Sequence, residues 1–193
     1  MIKIENLDRE LCSILNASAF VSLYGSNSCS IEDIKTSCFA SESCMYDGGT
    51  SNLDVLLHCS YAYVCRENDT FCACVAANKC EYGKVPYFDD VKCSKDSLFL
   101  HTLCVENKYR KNGLATRLLN KIKKKNRPIY LTVLNGKNGK NYKLKDFLNN
   151  RSEKLVEFYE KNGFKLIKTS RKFELMKYDP QRSWVLFHIT SSS

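Results

Sequence analysis

The segment from residue 97 to residue 122 constrains this chain most, because it predicts a strand, a glycine turn and a helix in direct succession. The mostly apolar run at 98–105 is typical of a strand that is covered on both faces. After a turn that contains Gly113, apolar residues recur every four positions over 114–122, as a helix packed on a sheet requires. The segment therefore predicts an α/β unit with a tight connection.

The turn itself has the residues of an anion site. It contains the pattern Arg-x-x-Gly-x-Ala at residues 110–115, flanked by Lys108, Lys111 and Arg117. The first N–H groups of a helix have no intrahelical partner, and the helix dipole adds partial positive charge there. A glycine lets a phosphate approach that backbone closely. The turn thus predicts a site for a phosphate-bearing cofactor, and an ordinary turn with solvated basic residues is the alternative.

Residues 152–164 predict a second helix that ends at a glycine. Ser152 can cap its start, and Asn162-Gly163 supplies a left-handed stop before an apolar strand begins at Phe164. The apolar face of this predicted helix consists of Leu155, Phe158 and Tyr159.

Together these segments resemble the GNAT superfamily of acyl-CoA-dependent N-acyltransferases. The resemblance rests on YRKNGLATRLL at 109–119, a predicted strand at 129–134 and FYEKNGF at 158–164, and it covers residues 97–178. Residues 53–80 match only by their strand pattern. The resemblance implies an α/β (α+β) fold with a central mixed twisted sheet, splayed middle strands and about four flanking helices.

The resemblance also implies acetyl-CoA as co-substrate and an amine as acceptor, with direct attack by the amine and no acyl-enzyme on Cys104. The backbone of Leu103, Cys104 and Val105 would bind pantetheine, and the N–H of Val105 or Cys104 would face the thioester oxygen. The pyrophosphate would be held by the amides of Arg110, Lys111, Asn112, Gly113, Leu114, Ala115 and Thr116.

Two side chains are candidates for proton transfer. Tyr159 stands at the family's tyrosine position, which implies that it protonates the CoA sulfur; a core aromatic residue is the alternative. His101 shares a predicted strand face with Leu103 and Val105, and a histidine that titrates near neutrality suits removal of the ammonium proton. Several family members have glutamate at the position of Phe99, so that base is missing here. A hydrogen-bonded structural histidine is the alternative for His101.

Charge is unevenly divided along the chain. Residues 1–104 contain 8 Lys+Arg and 14 Asp+Glu, a net charge of −6, whereas residues 105–193 have a net charge of +15. A basic half suits CoA, but it also suits nucleic acid or an acidic protein. The alternative function is therefore a catalytically silent GNAT-like module that binds one of those partners, although nucleic acid is not favoured.

Bulk features favour a cytoplasmic protein with no metal site. All eleven cysteines lie between positions 12 and 104, and none forms the C-x₂₋₄-C pair that zinc sites favour, so most are predicted to be small buried apolar residues. No signal-like start and no apolar run of about 20 residues is present, which predicts no membrane segment and a reducing intracellular location. The 193 residues are interpreted as one domain: a helical part at 1–52, a sheet core at 53–178 and a tail at 179–193.

The remaining pattern predicts the order of elements. Helical spacing spans residues 3–23, and Ile2–Ile4 is the only candidate for a first strand. Further expectations are a hairpin of Val55–Arg66 with Thr70–Asn78, a loop at 80–96, a Lys/Asn/Gly-rich insertion at 135–151, and closing strands at 164–168 and 172–178.

Overall fold

A computed structural model describes residues 1–8, 59–68, 70–105, 107–134 and 153–180, together with Leu11 and Leu56. The predicted Ser152 cap and the 135–151 insertion lie outside these residues.

Seven strands form a mixed sheet in the order β1-β2-β3-β6-β7-β9-β8. The strands of this sheet are β1 (Lys3–Asn6), β2 (Tyr61–Glu67), β3 (Thr70–Lys79), β6 (Leu98–Val105), β7 (Ile129–Leu134), β8 (Lys165–Thr169) and β9 (Phe173–Tyr178). Strands β6 and β7 are parallel, whereas β1 with β2, β2 with β3, β7 with β9 and β8 with β9 are antiparallel. The predicted mixed sheet is confirmed.

Two helices flank these strands in the described part of the chain. Helix α1 (Leu114–Lys123) follows β6, and its buried side chains are Leu114, Leu118, Leu119 and Ile122. Helix α2 occupies residues 153–161 and precedes β8. Helix α1 begins at Leu114, directly after the predicted glycine turn, and residues 153–161 are helical, as the sequence predicts.

The start of the chain corrects one prediction and confirms another. Lys3–Asn6 forms strand β1, which pairs antiparallel with β2, so the candidate first strand is confirmed and no helix begins at residue 3. The strand predicted from Val55 begins only at Tyr61, because Leu56 is helical and the next two described residues form a bend.

The predicted loop at 80–96 is wrong, because it contains a second, two-stranded sheet. Strand β4 (Lys84–Val85) pairs antiparallel with β5 (Phe88–Lys92) after a 3₁₀ turn at Glu81–Gly83. Tyr87 occupies the turn with φ 66, a conformation usually left to glycine. Its ring stacks on Phe173 with centroids 4.8 Å apart, which helps to hold the turn.

The chain divides into two compact units, each with its own buried cluster. The first unit comprises residues 1–78 and 101–122, and the second comprises 79–100 and 123–193. In the first, the buried cluster consists of Leu11, Leu56, Val64, Phe71, Cys74, Ala76 and Cys104. In the second, it consists of Cys80, Val85, Phe88, Phe99, Tyr130 and Leu175.

Most described cysteines behave as small apolar residues, as predicted. The free thiols are Cys59, Cys65, Cys72, Cys74, Cys80 and Cys93, of which four are buried and two half-buried. Burial raises the pKa of the Cys65 thiol to about 11. Cys104 differs from these because it is disulfide-bonded.

Candidate active site

The turn between β6 and α1 adopts a conformation in which backbone amides are exposed. After a 3₁₀ turn at Asn107–Tyr109, Lys111 and Gly113 both take positive φ, 63 and 72 respectively. The helix then begins at Leu114, and the N–H of Arg117 donates to the Gly113 carbonyl at 3.0 Å. The N–H groups of residues 114–116 precede that first helical bond, so helix geometry gives them no acceptor within α1.

Gly113 leaves open space beside this backbone. An ideal Cβ built on Gly113 meets no described atom within 4 Å. Side chains would be strained there because φ lies in the left-handed region. The turn therefore fits a diphosphate, which needs unpaired N–H groups, room to approach them and positive charge.

Neighbouring side chains fix the conformation of this turn from outside. The Tyr109 hydroxyl donates to Oε2 of Glu67 at 3.5 Å, and Nε of Arg110 donates to the Val105 carbonyl at 3.0 Å. Desolvation, followed by the hydrogen bond with the Cys72 thiol, raises the pKa of Tyr109 to about 12. The phenol thus stays protonated and able to donate across the physiological range.

The two faces of strand β6 differ in burial. Even-numbered side chains from 98 to 104 are buried, whereas on the other face Phe99 is buried, His101 is exposed, and Leu103 and Val105 are half-buried. The parallel ladder with β7 ends at the pair Leu100–Leu131, although β6 continues to Val105. Among the described residues, β6 thus makes no ladder pair with β7 over its last five positions.

His101 lies in a polar contact with strand β3. Its Nε2 is 3.2 Å from Nδ2 of Asn78, and Oδ1 of Asn78 accepts the backbone N–H of Ser60 at 2.7 Å. The side chain is accessible to solvent, yet surrounding protein desolvates the imidazole and lowers the pKa of His101. A lowered pKa keeps the ring neutral near pH 7.

In the second unit, Tyr159 lies on α2 and packs among aromatic rings. It is 8% exposed, and its ring meets those of Phe158 and Phe164 edge-on with centroids 5.3 Å and 5.6 Å away. Beyond it, the helix ends in a left-handed glycine, Gly163, with φ 81. The N–H of Phe164 donates back to the Tyr159 carbonyl at 3.0 Å, which closes the predicted stop.

A half-buried lysine stabilises this helix end. Nζ of Lys123 donates to the Asn162 carbonyl and lies 5.5 Å from the ring centroid of Phe164 and 4.8 Å from that of Tyr178. The aromatic faces compensate part of the cost of desolvating the ammonium group, which nevertheless lowers the pKa of Lys123.

Residues 58–166, more than half of the chain, match the family model described as "Acetyltransferase (GNAT) domain". This chain belongs to the GNAT acetyltransferase family. No curated protein sequence matches it.

Solved GNAT structures share the fold at low sequence identity. NAA60 of Arabidopsis thaliana in complex with acetyl-CoA is 14% identical, with a TM-score of 0.57 over 93% of this chain and 99% of that one. Naa50 of the same plant, in complex with the bisubstrate analogue CoA-Ac-MVNAL, is 15% identical, with a TM-score of 0.51 over 92% and 98%. An aminoglycoside 6'-acetyltransferase type Ii is 19% identical, with a TM-score of 0.54 over 92% and 97%.

The predicted GNAT site residues are distributed over both units. His101, the strand residues 103–105 and the turn at 110–116 belong to the first unit, and Tyr159 belongs to the second. The disulfide at Cys104 removes its free thiol but leaves its backbone groups unchanged. The roles of all these residues in binding and catalysis stay predictions.

Sequence reasoning missed the residues that support these GNAT candidates. Asn78 is the penultimate residue of a strand rich in small apolar residues, and Glu67 ends the strand before it. A polar amide in so apolar a strand was the available signal for Asn78. Its partners Ser60 and His101 lie 18 and 23 residues away, so no local pattern could identify them.

Two features of the described residues bear on metal binding and on membrane insertion. That part of the GNAT chain contains no group of three or more His, Cys, Asp or Glu able to hold a metal ion. It likewise contains no helix whose length and apolar character would allow it to cross a membrane.

Proposed function

We propose that this chain is an N-acetyltransferase that moves the acetyl group of acetyl-CoA to a primary amine by direct attack in a ternary complex. The observation on which this proposal depends is the turn before α1, with Gly113 at φ 72 and open space at its Cβ position. Exposed Lys111 and Arg117 add positive charge beside the amides of that helix start.

The chain's own groups account for binding and for activation. Amides of residues 110–116 bind the diphosphate, and backbone groups of Leu103 to Val105 bind the pantetheine arm, since β6 makes no ladder pair with β7 there. Acetyl-CoA supplies an activated acetyl thioester. The Val105 or Cys104 N–H stabilises the charge that develops on the acetyl oxygen.

Proton transfer completes the proposed reaction. A carbon–nitrogen bond forms to the amine while the carbon–sulfur bond breaks, so one proton must leave the nitrogen and one must reach the thiolate. The Tyr159 hydroxyl gives its proton to the sulfur and is re-protonated from solvent. The proton that leaves the nitrogen passes to solvent.

The acceptor is proposed as a class, the primary amines. The structures that share this fold include an Naa50 with a bisubstrate analogue and an aminoglycoside acetyltransferase, whose acceptors differ. In many folds the variable loops set substrate specificity, so a shared fold does not identify the acceptor. We accordingly propose the reaction type and leave the acceptor as a class.

Acetyl-CoA binding and turnover test the proposal. Calorimetric titration should give saturable 1:1 binding, and a thiol reagent should detect CoA release that depends on an added amine. No binding, or no release with a panel of primary amines, would contradict the enzyme function and favour the silent binding module.

Replacing Tyr159 with Phe tests its role separately. Loss of a general acid should lower kcat by about 100-fold or more, with little change in the Kd for acetyl-CoA. Tyr178→Phe is the matched control, because Tyr178 also packs on Phe164, with centroids 5.6 Å apart. Equal turnover in Tyr159→Phe and Tyr178→Phe would show that Tyr159 is not the general acid, and the proposed reaction itself would still stand.

A further inference from the structure

The side-chain amide of Asn78 is held in one orientation by a backbone donor. The N–H of Ser60 points at one end of the amide at 2.7 Å, and a backbone N–H can only donate. That end must therefore be the oxygen, Oδ1. The NH₂ group, Nδ2, is consequently the end that faces Nε2 of His101 at 3.2 Å.

This orientation fixes the position of the proton on His101. An amide NH₂ has no lone pair to offer, so Nε2 of His101 must accept the hydrogen bond. A neutral imidazole has one protonated nitrogen and one acceptor nitrogen, which leaves the proton on Nδ1. A doubly protonated ring would instead direct an N–H at the NH₂ group of Asn78.

Desolvation and the nature of a neighbouring thiol also favour the neutral ring. Desolvation lowers the pKa of His101, in the same direction as the Asn78 contact. Among the described residues, the Asn78 amide also meets the half-buried Cys59 thiol, whose pKa is raised by burial and only partly lowered by Asn78. Near pH 7 this thiol is uncharged, so it provides no counter-charge for an imidazolium.

We propose that Asn78 is a positioning residue that holds His101 as a neutral imidazole with its proton on Nδ1, so that His101 cannot be the general base. The other ring nitrogen, Nδ1, is then a hydrogen-bond donor and cannot accept a proton. The kinetic part of this inference rests on the proposed acetyltransferase function, whereas the tautomer itself does not.

If His101 does not act as the base, the pH dependence of the reaction should vary with the acceptor amine. The amine must lose its proton to water or to another group, so the rate follows the neutral fraction of the amine itself. α-Amino groups have pKa values of about 8 and lysine side chains of about 10.4, so the rising limb of kcat/KM against pH should shift with the acceptor by roughly two units. A histidine base would keep that limb in one place for both acceptors.

Nitrogen-15 spectroscopy of the histidine rings tests the tautomer directly in the full chain. Long-range proton–nitrogen correlations distinguish Nδ1–H from Nε2–H, and the signals of His101 are those that disappear in His101→Gln. We expect the Nδ1–H pattern in the wild type, with a pKa below that of an exposed histidine. An Nε2–H pattern would overturn the inference, and this measurement needs no variant of Asn78.

Asn78→Asp inverts the contact with almost no change in shape. One carboxylate oxygen can still accept the Ser60 N–H, while the other accepts from Nε2–H, so the pKa of His101 should rise above its wild-type value. Asn68→Asp is the matched control, because exposed Asn68 lies in the turn at the other end of the β2–β3 hairpin and adds the same charge. An unchanged His101 titration in Asn78→Asp, or an equal shift in Asn68→Asp, would overturn the inference.

Activity measurements separate this inference from the proposed function. With an α-amino and a lysine-type acceptor, we expect the pH limb to follow the acceptor in the wild type. A limb that stays at the His101 pKa would overturn the positioning role even if acetyl transfer is present. If no acetyl transfer is detected but the nitrogen-15 spectrum shows the Nδ1–H pattern, the enzyme function is contradicted and the proposed tautomer is supported.

Discussion

The same tripeptide, Lys-Asn-Gly, stands before an apolar residue at two helix ends of this protein, and the two copies do different things. At 111–113 it precedes helix α1, and at 161–163 it follows helix α2. Both glycines have positive φ, 72 and 81. The first has no described atom within 4 Å of an ideal Cβ, whereas the second has the Tyr178 ring at 3.7 Å.

The difference lies in what the backbone polar groups meet. At the second copy, the N–H of Gly163 donates to the Glu160 carbonyl at 2.8 Å, and the Asn162 side chain donates to the Phe158 carbonyl at 2.8 Å. The protein thus satisfies its own groups there. At the first copy the N–H groups of the helix start have no acceptor within the helix. The tripeptide alone therefore does not distinguish a structural turn from a binding turn. What distinguishes them is whether the turn precedes or follows its helix.

Valine at each glycine should separate the two roles with the largest effect. Valine with positive φ costs about 1–2 kcal/mol at either position, so both variants should unfold at lower denaturant concentration. Only Gly113→Val should also weaken acetyl-CoA, because the side chain enters the space where the diphosphate would approach. Loss of one hydrogen bond to a charged group, about 1.5–3 kcal/mol, corresponds to roughly 10- to 100-fold in Kd.

The measurement is calorimetric titration of folded protein, with the free energy of unfolding taken from urea denaturation. Gly163→Val is the control for strain alone. Weakened acetyl-CoA binding in Gly163→Val, or unchanged binding in Gly113→Val, would abolish the distinction between the two turns.

Much of this architecture follows from local signals in the sequence. The strand–turn–helix at 98–123 and the helix stop at 161–164 each combine a periodic apolar pattern with a glycine that must take positive φ. Such elements depend on residues within a few positions of one another. Their existence, type and approximate bounds were therefore predictable.

The elements that sequence reasoning missed depend on distant contacts or on unusual conformations. The β4–β5 turn places Tyr87 at φ 66, where turn chemistry expects glycine, and ring packing on Phe173 compensates. Strand β1 was predicted only as a candidate, because its four residues pair with a strand some sixty positions away, for example Lys3 with Arg66. The Asn78–His101 contact likewise joins two strands that only the folded sheet brings together.

Tyr109→Phe should have an intermediate effect. It tests the turn at 111–113 alone, because side chains outside the helix fix that turn. Losing the hydroxyl removes the hydrogen bonds with Glu67 and Cys72. A typical hydrogen bond contributes about 1 kcal/mol, so stability should fall by about that much. Acetyl-CoA affinity should fall by roughly 3- to 10-fold, since each tenfold corresponds to 1.4 kcal/mol.

Alkaline unfolding gives the same variant a pH signature. Folding raises the pKa of Tyr109 from 10.0 to about 12, so between these values the folded protein binds the phenolic proton more than the unfolded chain does. The resulting stabilisation is complete below pH 10 and is lost as the pH rises toward 12. The difference in free energy of unfolding between wild type and Tyr109→Phe should narrow over that range. A constant difference would show that the phenol does not hold the turn.

Alanine at each glycine gives the smallest effect and the cleanest comparison. A single methyl group adds no branch, so strain should cost each variant about 1 kcal/mol. At Gly163 the new Cβ would be 3.7 Å from Tyr178, an ordinary contact, whereas at Gly113 it would enter open space. Because both variants begin from similar stability, the rise in Tm on adding acetyl-CoA depends only on Kd. We expect a smaller rise for Gly113→Ala than for Gly163→Ala, and equal rises would mean that the open space at Gly113 is not where the co-substrate binds.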